Sequence, residues 1–298
     1  MALRILLNSR WIVVSAWGVM LALLLASCAS APVTGRKQFL LVSEAQAIKA
    51  SEPAYFEVLK EPAAQGRLDT DPELTARVRA ITARLIAQAI AFRPETADWQ
   101  WSIHIIDDPE TVNAWAMAGG RMALYSGLVA KVQPSDDELA QVLGHEIAHA
   151  LAKHTAEKMS VALATDLALT VWAVTGERSQ LALTGTALAA ALAIKLPNSR
   201  QAESEADRIG IELAARAGYD PRAAVTLWRK MKEAGGKQVP EFLSTHPAPD
   251  TRIEDLRRLI PAMLPHYEAP GERPVYRFKP EALRLPAQEG SAPVQEKH

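Results

Sequence analysis

Apolar positions recur at helical spacing in several stretches of the chain. Within residues 71–92, Leu74, Val78, Ile81, Leu85 and Ile90 share one face, Asp71 stands where an N-cap belongs, and Pro72 takes the first helical position. That stretch reads as a helix packed on a core through one side. A helix-like segment opens earlier, at Ser43-Glu44, and runs to about Lys60. Ser135-Asp136-Asp137-Glu138 has the S-x-x-E spacing of a capping box, so another helix starts there and turns Leu139, Val142, Leu143 and Ile147 inward. A further helix spans 200–217 and stops at Gly218, and another begins at Asp220-Pro221.

Strand signals are fewer. Residues 99–107 (WQWSIHIID) alternate residue types, and Arg121–Tyr125 follows Gly119-Gly120 as a second short strand. The two are expected to pair in a small antiparallel sheet, which makes the fold α+β and mainly helical. Two apolar stretches, 159–174 and 181–196, flank Gly176-Glu177-Arg178. Each is too short to span a bilayer, and together they read as a buried or groove-lining helical hairpin, with a membrane-surface element as the alternative.

The amino end reads as an address. An uncharged apolar run over 11–26 follows Arg4 and Arg10, the pattern of a secretory signal, and ends in Leu25-Ala26-Ser27-Cys28. Small residues before a cysteine resemble a bacterial lipobox, which implies lipidation of Cys28; an uncleaved membrane anchor is the other reading. Ala29 is not the Asp that resembles an inner-membrane retention signal, so the expected location is the periplasm, with a lipid anchor in the outer membrane. The organisation expected is a signal over 1–27, a tether over 28–43, a catalytic domain over 44–265 and a Pro-rich extended tail over 266–298. No internal repeat is visible.

Composition narrows the chemistry. The 298 residues are 49% hydrophobic and 22% charged, enough for a substantial folded core, and 33 basic against 34 acidic residues give a net charge of -1. That balance argues against a nucleic-acid partner. The single cysteine excludes Cys-rich zinc modules and leaves histidine and carboxylates as the available metal ligands.

Those residues are present in a telling pattern. His145-Glu146-Ile147-Ala148-His149 matches H-E-x-x-H inside the capped helix, where four residues put both histidines on one face about 6 Å apart along the axis. Glu146 points off that line, toward the water of a catalytic centre. Catalytic zinc takes three protein ligands, and the helix opening near Arg200 offers Glu203, with Asp207 one turn later to hold the free ring nitrogen of a ligand histidine. Glu205 points elsewhere, and His104 and His154 are weaker candidates, one on a strand and the other past the ligand face. A solvated acidic face is the plainer reading of Glu203, Glu205 and Asp207, weakened because no cation lies at i+4 from them.

H-E-x-x-H followed by Ser199-Arg200-Gln201-Ala202-Glu203-Ser204-Glu205-Ala206-Asp207 resembles the gluzincin metallopeptidases of the HtpX and CAAX prenyl protease type, peptidase family M48. The lipobox and the Val33-Thr34-Gly35-Arg36-Lys37 entry are most similar to periplasmic lipoprotein and BepA-type members, without their carboxy-terminal helical repeats. The resemblance covers roughly 33–260. It implies a zincin-like domain with two zinc-binding helices, one Zn2+ held by His145, His149 and Glu203, and Glu146 as general base.

Asn113 to Gly120 is similar to the family's N-A-F-A-x-P-G-G segment, with Trp115 and Ala118 in place of Phe and Pro. The resemblance implies that Asn113, Ala114, Gly119, Gly120 and Met122 serve an edge strand that binds substrate backbone by strand addition. Thr245-His246-Pro247 and Arg252 resemble the segment near the metal, where His246 either ligates zinc in a closed state or polarises the substrate carbonyl, with Arg252 beside it. The implied activity is that of a zinc metalloendopeptidase of the cell envelope, acting on misfolded or stalled envelope proteins. The rival is a chaperone-like outer-membrane assembly lipoprotein in which zinc is structural or gating.

Overall fold

The computed structural model describes residues 28–173, 197–234, 241–247 and 251–285. The stretch read as a signal, residues 174–196 of the apolar pair of stretches and the end of the tail lie outside them. Three predicted helix starts are capped, at Asp71 and Ser135 as read from the sequence and at Ser43 as a further finding. In α1 (Glu44–Ala64) Ser43 and Gln46 form a reciprocal capping box. In α2 (Pro72–Phe92) Asp71 accepts hydrogen bonds from the Glu73 and Leu74 amides. After the short α3 (Ser126–Val132), the Ser135 side chain accepts from Glu138 N at the head of α4 (Asp136–Leu151). Then follow α5 (His154–Ala173), α6 (Arg200–Arg216), α7 (Ala223–Ala234), α8 (Glu241–Thr245) and α9 (Arg252–Tyr267). Among the described residues no helix is long and apolar enough to cross a membrane.

Five strands complete the fold among the described residues. β1 (Cys28–Ser30) and β2 (Lys37–Phe39) pair antiparallel, so part of the segment read as a tether is a hairpin seated on the body. β3 (Ser102–Ile106), β4 (Ala114–Ala116) and β5 (Arg121–Tyr125) form one sheet in the order β3-β5-β4.

The expected antiparallel pairing of the two longer strands is corrected here: β3 and β5 run parallel, with Ser102 opposite Arg121 and Ile106 opposite Tyr125. The cause is β4, whose three residues carry too little alternation to read as a strand. The Gly119-Gly120 turn folds β4 back on β5, and β3 joins the free edge in the same direction as β5. Gly120 sits at φ +80° with the Trp101 ring where a side chain would begin, 2.4 Å from an ideal Cβ, so the turn and the packing both require glycine there.

The core lies between α2, the sheet, α4 and α6, and includes Leu85, Ile86, Trp101, Leu124, Leu139 and Leu143. Trp101 is fully buried and donates its indole N–H to Thr96 O at 2.8 Å. Part of the Pro-rich tail lies along this body, with Tyr276 N donating to Ala83 O. Against the outer edge of β3, Asp69 accepts from Ile105 N and His104 Nδ1 and pairs with Arg79. Burial pushes the Asp69 carboxyl up, but the bonds from His104 and the Ile105 amide, with the His104 and Arg79 charges, more than offset it and hold it below the usual carboxylate range. A lowered folded-state pKa contributes stability above the unfolded value, about pH 4, and loses it as pH falls through the folded one. Asp69→Asn should therefore be less stable than the parent at neutral pH and lose less on acidification, as read from urea midpoints. Parallel profiles would disprove the assignment.

Candidate metal centre

α4 and α6 cross at two glycines. An ideal Cβ on Gly144 would lie 2.9 Å from Gly210 O, and one on Gly210 would lie 2.8 Å from His145 N. Only bare backbone permits that approach, and it places the residues next to each glycine face to face. Gly210 lies seven residues beyond Glu203 and three beyond Asp207, so all three share a face of α6.

The result is a buried cluster of His145, His149, Glu203 and His246, whose donor atoms all lie within 4.8 Å of one another. The Nε2 atoms of His145 and His149 are 3.0 Å apart, and Glu203 reaches them at 3.3 and 3.4 Å. His246 Nδ1 lies 3.1 Å from Glu203 Oε1 and 3.3 Å from His145 Nε2. Its ring stacks on Phe242 at 4.4 Å. The loop after α8 thus brings His246 into the cluster itself.

Support comes from a surrounding layer. Asp207 Oδ1 sits 3.1 Å from His145 Nδ1, the contact expected from the spacing. Arg252 bridges Asp207 at 2.5 Å and Glu203 at 3.1 Å, with its guanidinium 3.5 Å above the Trp228 ring. Glu146, beside the cluster, accepts a hydrogen bond from Ala116 N at 3.1 Å through Oε2. Its Oε1 is buried without a hydrogen bond and lies 3.4 Å from His246 Nε2.

The donor set fits zinc. Three imidazoles and a carboxylate are ordinary zinc ligands, and four converging donors match a tetrahedral demand. Burial pushes His149 well below its ordinary value, leaving it neutral as a lone-pair donor. Burial lowers His145 too, yet the bonds to Asp207 and Glu203 carry it up to about 9. Burial raises Glu146 above the usual carboxylate range, against the pull of His246 and His145.

Residues 72–260 match peptidase family M48. The chain belongs to that family. The matched segment is a zinc metalloendopeptidase domain, and its buried His-His-Glu-His cluster is suited to one zinc ion. The bovine mitochondrial metalloendopeptidase OMA1 is 36% identical over 245 residues, 78% of this chain and 46% of the relative. The Saccharomyces cerevisiae mitochondrial metalloendopeptidase OMA1 is 32% identical over 272 residues, 83% of this chain and 76% of the relative. The Escherichia coli beta-barrel assembly-enhancing protease is 31% identical over 208 residues, 66% of this chain and 41% of the relative. The match therefore spans about half the length of the bovine and bacterial relatives and three quarters of the yeast one. The mitochondrial relatives were not foreseen from the sequence motifs; the BepA-type likeness was.

Of the residues named from the sequence, His145, His149, Glu203, His246, Glu146, Asp207 and Arg252 come together in this M48 centre. Met122 does not serve an exposed edge. It is 1% exposed on the central strand β5, paired to Ile103 on one side and Ala116 on the other, because β4 takes the edge. Gly119 and Gly120 make the turn between those strands, and the Asn113 side chain accepts from Ala114 N at 2.9 Å. His104 pairs with Asp69. His154, set aside from the sequence, bonds to His149 at 2.7 Å, and Trp228 and Phe242 were not foreseen. No local periodicity marks them, since each meets the centre only through the packing of separate helices.

Proposed function

We propose that this chain is an envelope-located zinc metalloendopeptidase that cleaves misfolded or stalled envelope proteins as extended segments, with His145, His149 and Glu203 holding the metal. One observation carries the reading: Glu146 lies beside the donor cluster with Oε2 pinned by the edge strand and Oε1 free of hydrogen bonds. Structural zinc has no need of such a carboxylate. When bound, zinc supplies Lewis acidity and a water acidified toward neutral pH. Glu146 Oε1 takes a proton as water attacks the scissile carbonyl, then returns it to the leaving amine nitrogen. The raised affinity of Glu146 for protons suits both halves of that transfer.

Edge strand β4 supplies the binding line. Asn113 O and Met117 N bond to β5, so by the alternation of antiparallel pairing the backbone groups of Ala114 and Ala116 face away from it. An extended peptide laid along that edge passes the Glu146 carboxylate. His246 occupies the fourth place in the cluster and must withdraw from it before a substrate carbonyl enters, since a catalytic centre keeps one position open. The envelope location rests on the signal pattern and on Cys28 as the lipidated residue, and the beta-barrel assembly-enhancing proteases among the relatives support it.

Zinc-loaded protein should cleave casein, 1,10-phenanthroline should abolish cleavage, and added zinc should restore it. A fully loaded chain that leaves casein intact would overturn the reading.

A further inference from the structure

The flank of the cluster opposite Asp207 is held by groups from three elements. His149 Nδ1 lies 2.7 Å from Nδ1 of His154, the first residue of α5, and His154 Nε2 lies 3.0 Å from Glu205 Oε2 on α6. Glu205 is met in turn by the turn of the β1–β2 hairpin. Arg36 Nε donates to Glu205 Oε2 at 2.5 Å, and Thr34 Oγ1 donates to Glu205 Oε1. Arg36 also holds Glu157 through Nη1 and Nη2, at 2.9 and 2.6 Å. His149, His154 and Glu205 are buried.

Counting donors and acceptors leaves one arrangement. An ionised carboxylate only accepts, so His154 donates through Nε2–H. Arg36 is shared between Glu205 and Glu157, but His154 is buried, where a second proton would make a desolvated cation, so it stays neutral, and a neutral imidazole has only one N–H. His154 Nδ1 is therefore an acceptor, and the proton in its bond to His149 sits on His149 Nδ1. That leaves the lone pair of His149 on Nε2, the nitrogen that faces the cluster. With a donor in place of the Glu205 oxygen, His154 would carry its proton on Nδ1. His149 would then turn an Nε2–H into the cluster, where it opposes a cation.

We propose that Arg36, Glu205 and His154 form a positioning relay that fixes His149 in the tautomer a metal requires, so that the seating of the amino-terminal hairpin on α6 sets the zinc affinity of the centre. The inference rests on the reading of His149 as a zinc ligand. None of the three touches the reacting atoms; each acts through the next.

The test is zinc affinity by chelator competition, with far-UV circular dichroism confirming the fold of each variant. Glu205→Gln should weaken zinc binding about 10–100-fold, the usual cost of removing a partner behind a metal ligand. Arg36→Ala should weaken it in the same direction, and Arg36→Lys should recover most of the loss. A folded Glu205→Gln protein that melts earlier but binds zinc as the parent does would overturn the relay, leaving the residues a packing role. Should Glu205→Gln not fold, the Arg36 pair decides: parental affinity in Arg36→Ala overturns the proposal. His149→Ala separates the two readings. If it leaves zinc affinity unchanged, the ligand assignment and the relay both fail; if it abolishes binding while the folded relay variants bind normally, only the relay fails.

Discussion

Glu146→Gln is expected to lower kcat/KM for casein by about 10²- to 10⁴-fold, the range supplied by a positioned general base. The substitution keeps the shape of the side chain, and the amide oxygen still accepts the hydrogen bond from Ala116 N, so the edge strand stays where it is. Only the capacity to take and return a proton is lost. Zinc content should not change, because the cluster that converges within 4.8 Å does not include Glu146. The pairing of lost cleavage with retained metal separates the peptidase from the assembly-factor reading: an assembly factor carrying Glu146→Gln would correct an envelope defect as well as the parent does. Unchanged cleavage by the zinc-loaded variant would end the peptidase reading.

The second large effect is expected at the helix crossing. Gly210→Ala adds one carbon, 2.8 Å from His145 N, 2.9 Å from His145 Cα and 3.0 Å from Gly144 C. All three are backbone atoms and none can rotate away, so α4 and α6 must part. Overpacking of this kind costs about 1–3 kcal/mol, and at about 2–4 °C per kcal/mol for a domain of this size the melting temperature should fall by roughly 2–12 °C. Zinc affinity should fall with it, because parting the helices draws Glu203 away from His145 and His149. Helix propensity alone predicts the opposite sign, since alanine is favoured over glycine inside a helix by about 0.5–1 kcal/mol. A rise in melting temperature would show that the helices do not touch there.

What was legible in the sequence was local. The caps at Asp71 and Ser135 announce helices because each is a bond between residues two or three apart. The pairs His145 with His149 and Glu203 with Asp207 were legible because four residues return a helix to the same face. The facing of those pairs follows from Gly144 and Gly210, which look in sequence like weak points of their helices. The direction of β3 against β5 was not legible, because it depends on a three-residue strand between them. The pairing of His154 with Glu205 escaped for a related reason: His154 heads a helix that carries no ligand, Glu205 points away from the ligand face of α6, and the two meet only through the fold. The hairpin over 28–39 was hidden by small residues that read as a tether, although Arg36 reaches a buried carboxylate.

The edge strand is short, and its length sets a ruler. Ala114–Ala116 offers three residues of backbone, about 10 Å at the rise of an extended chain. A substrate paired along that edge has to be unfolded over only a few residues, so a loosened loop in an otherwise folded protein is long enough to be gripped. Under the proposed binding along β4, selection falls on chain mobility more than on side-chain order. The same brevity deters a second copy of the chain from adding its own strand, because so few hydrogen bonds do not hold two sheets together.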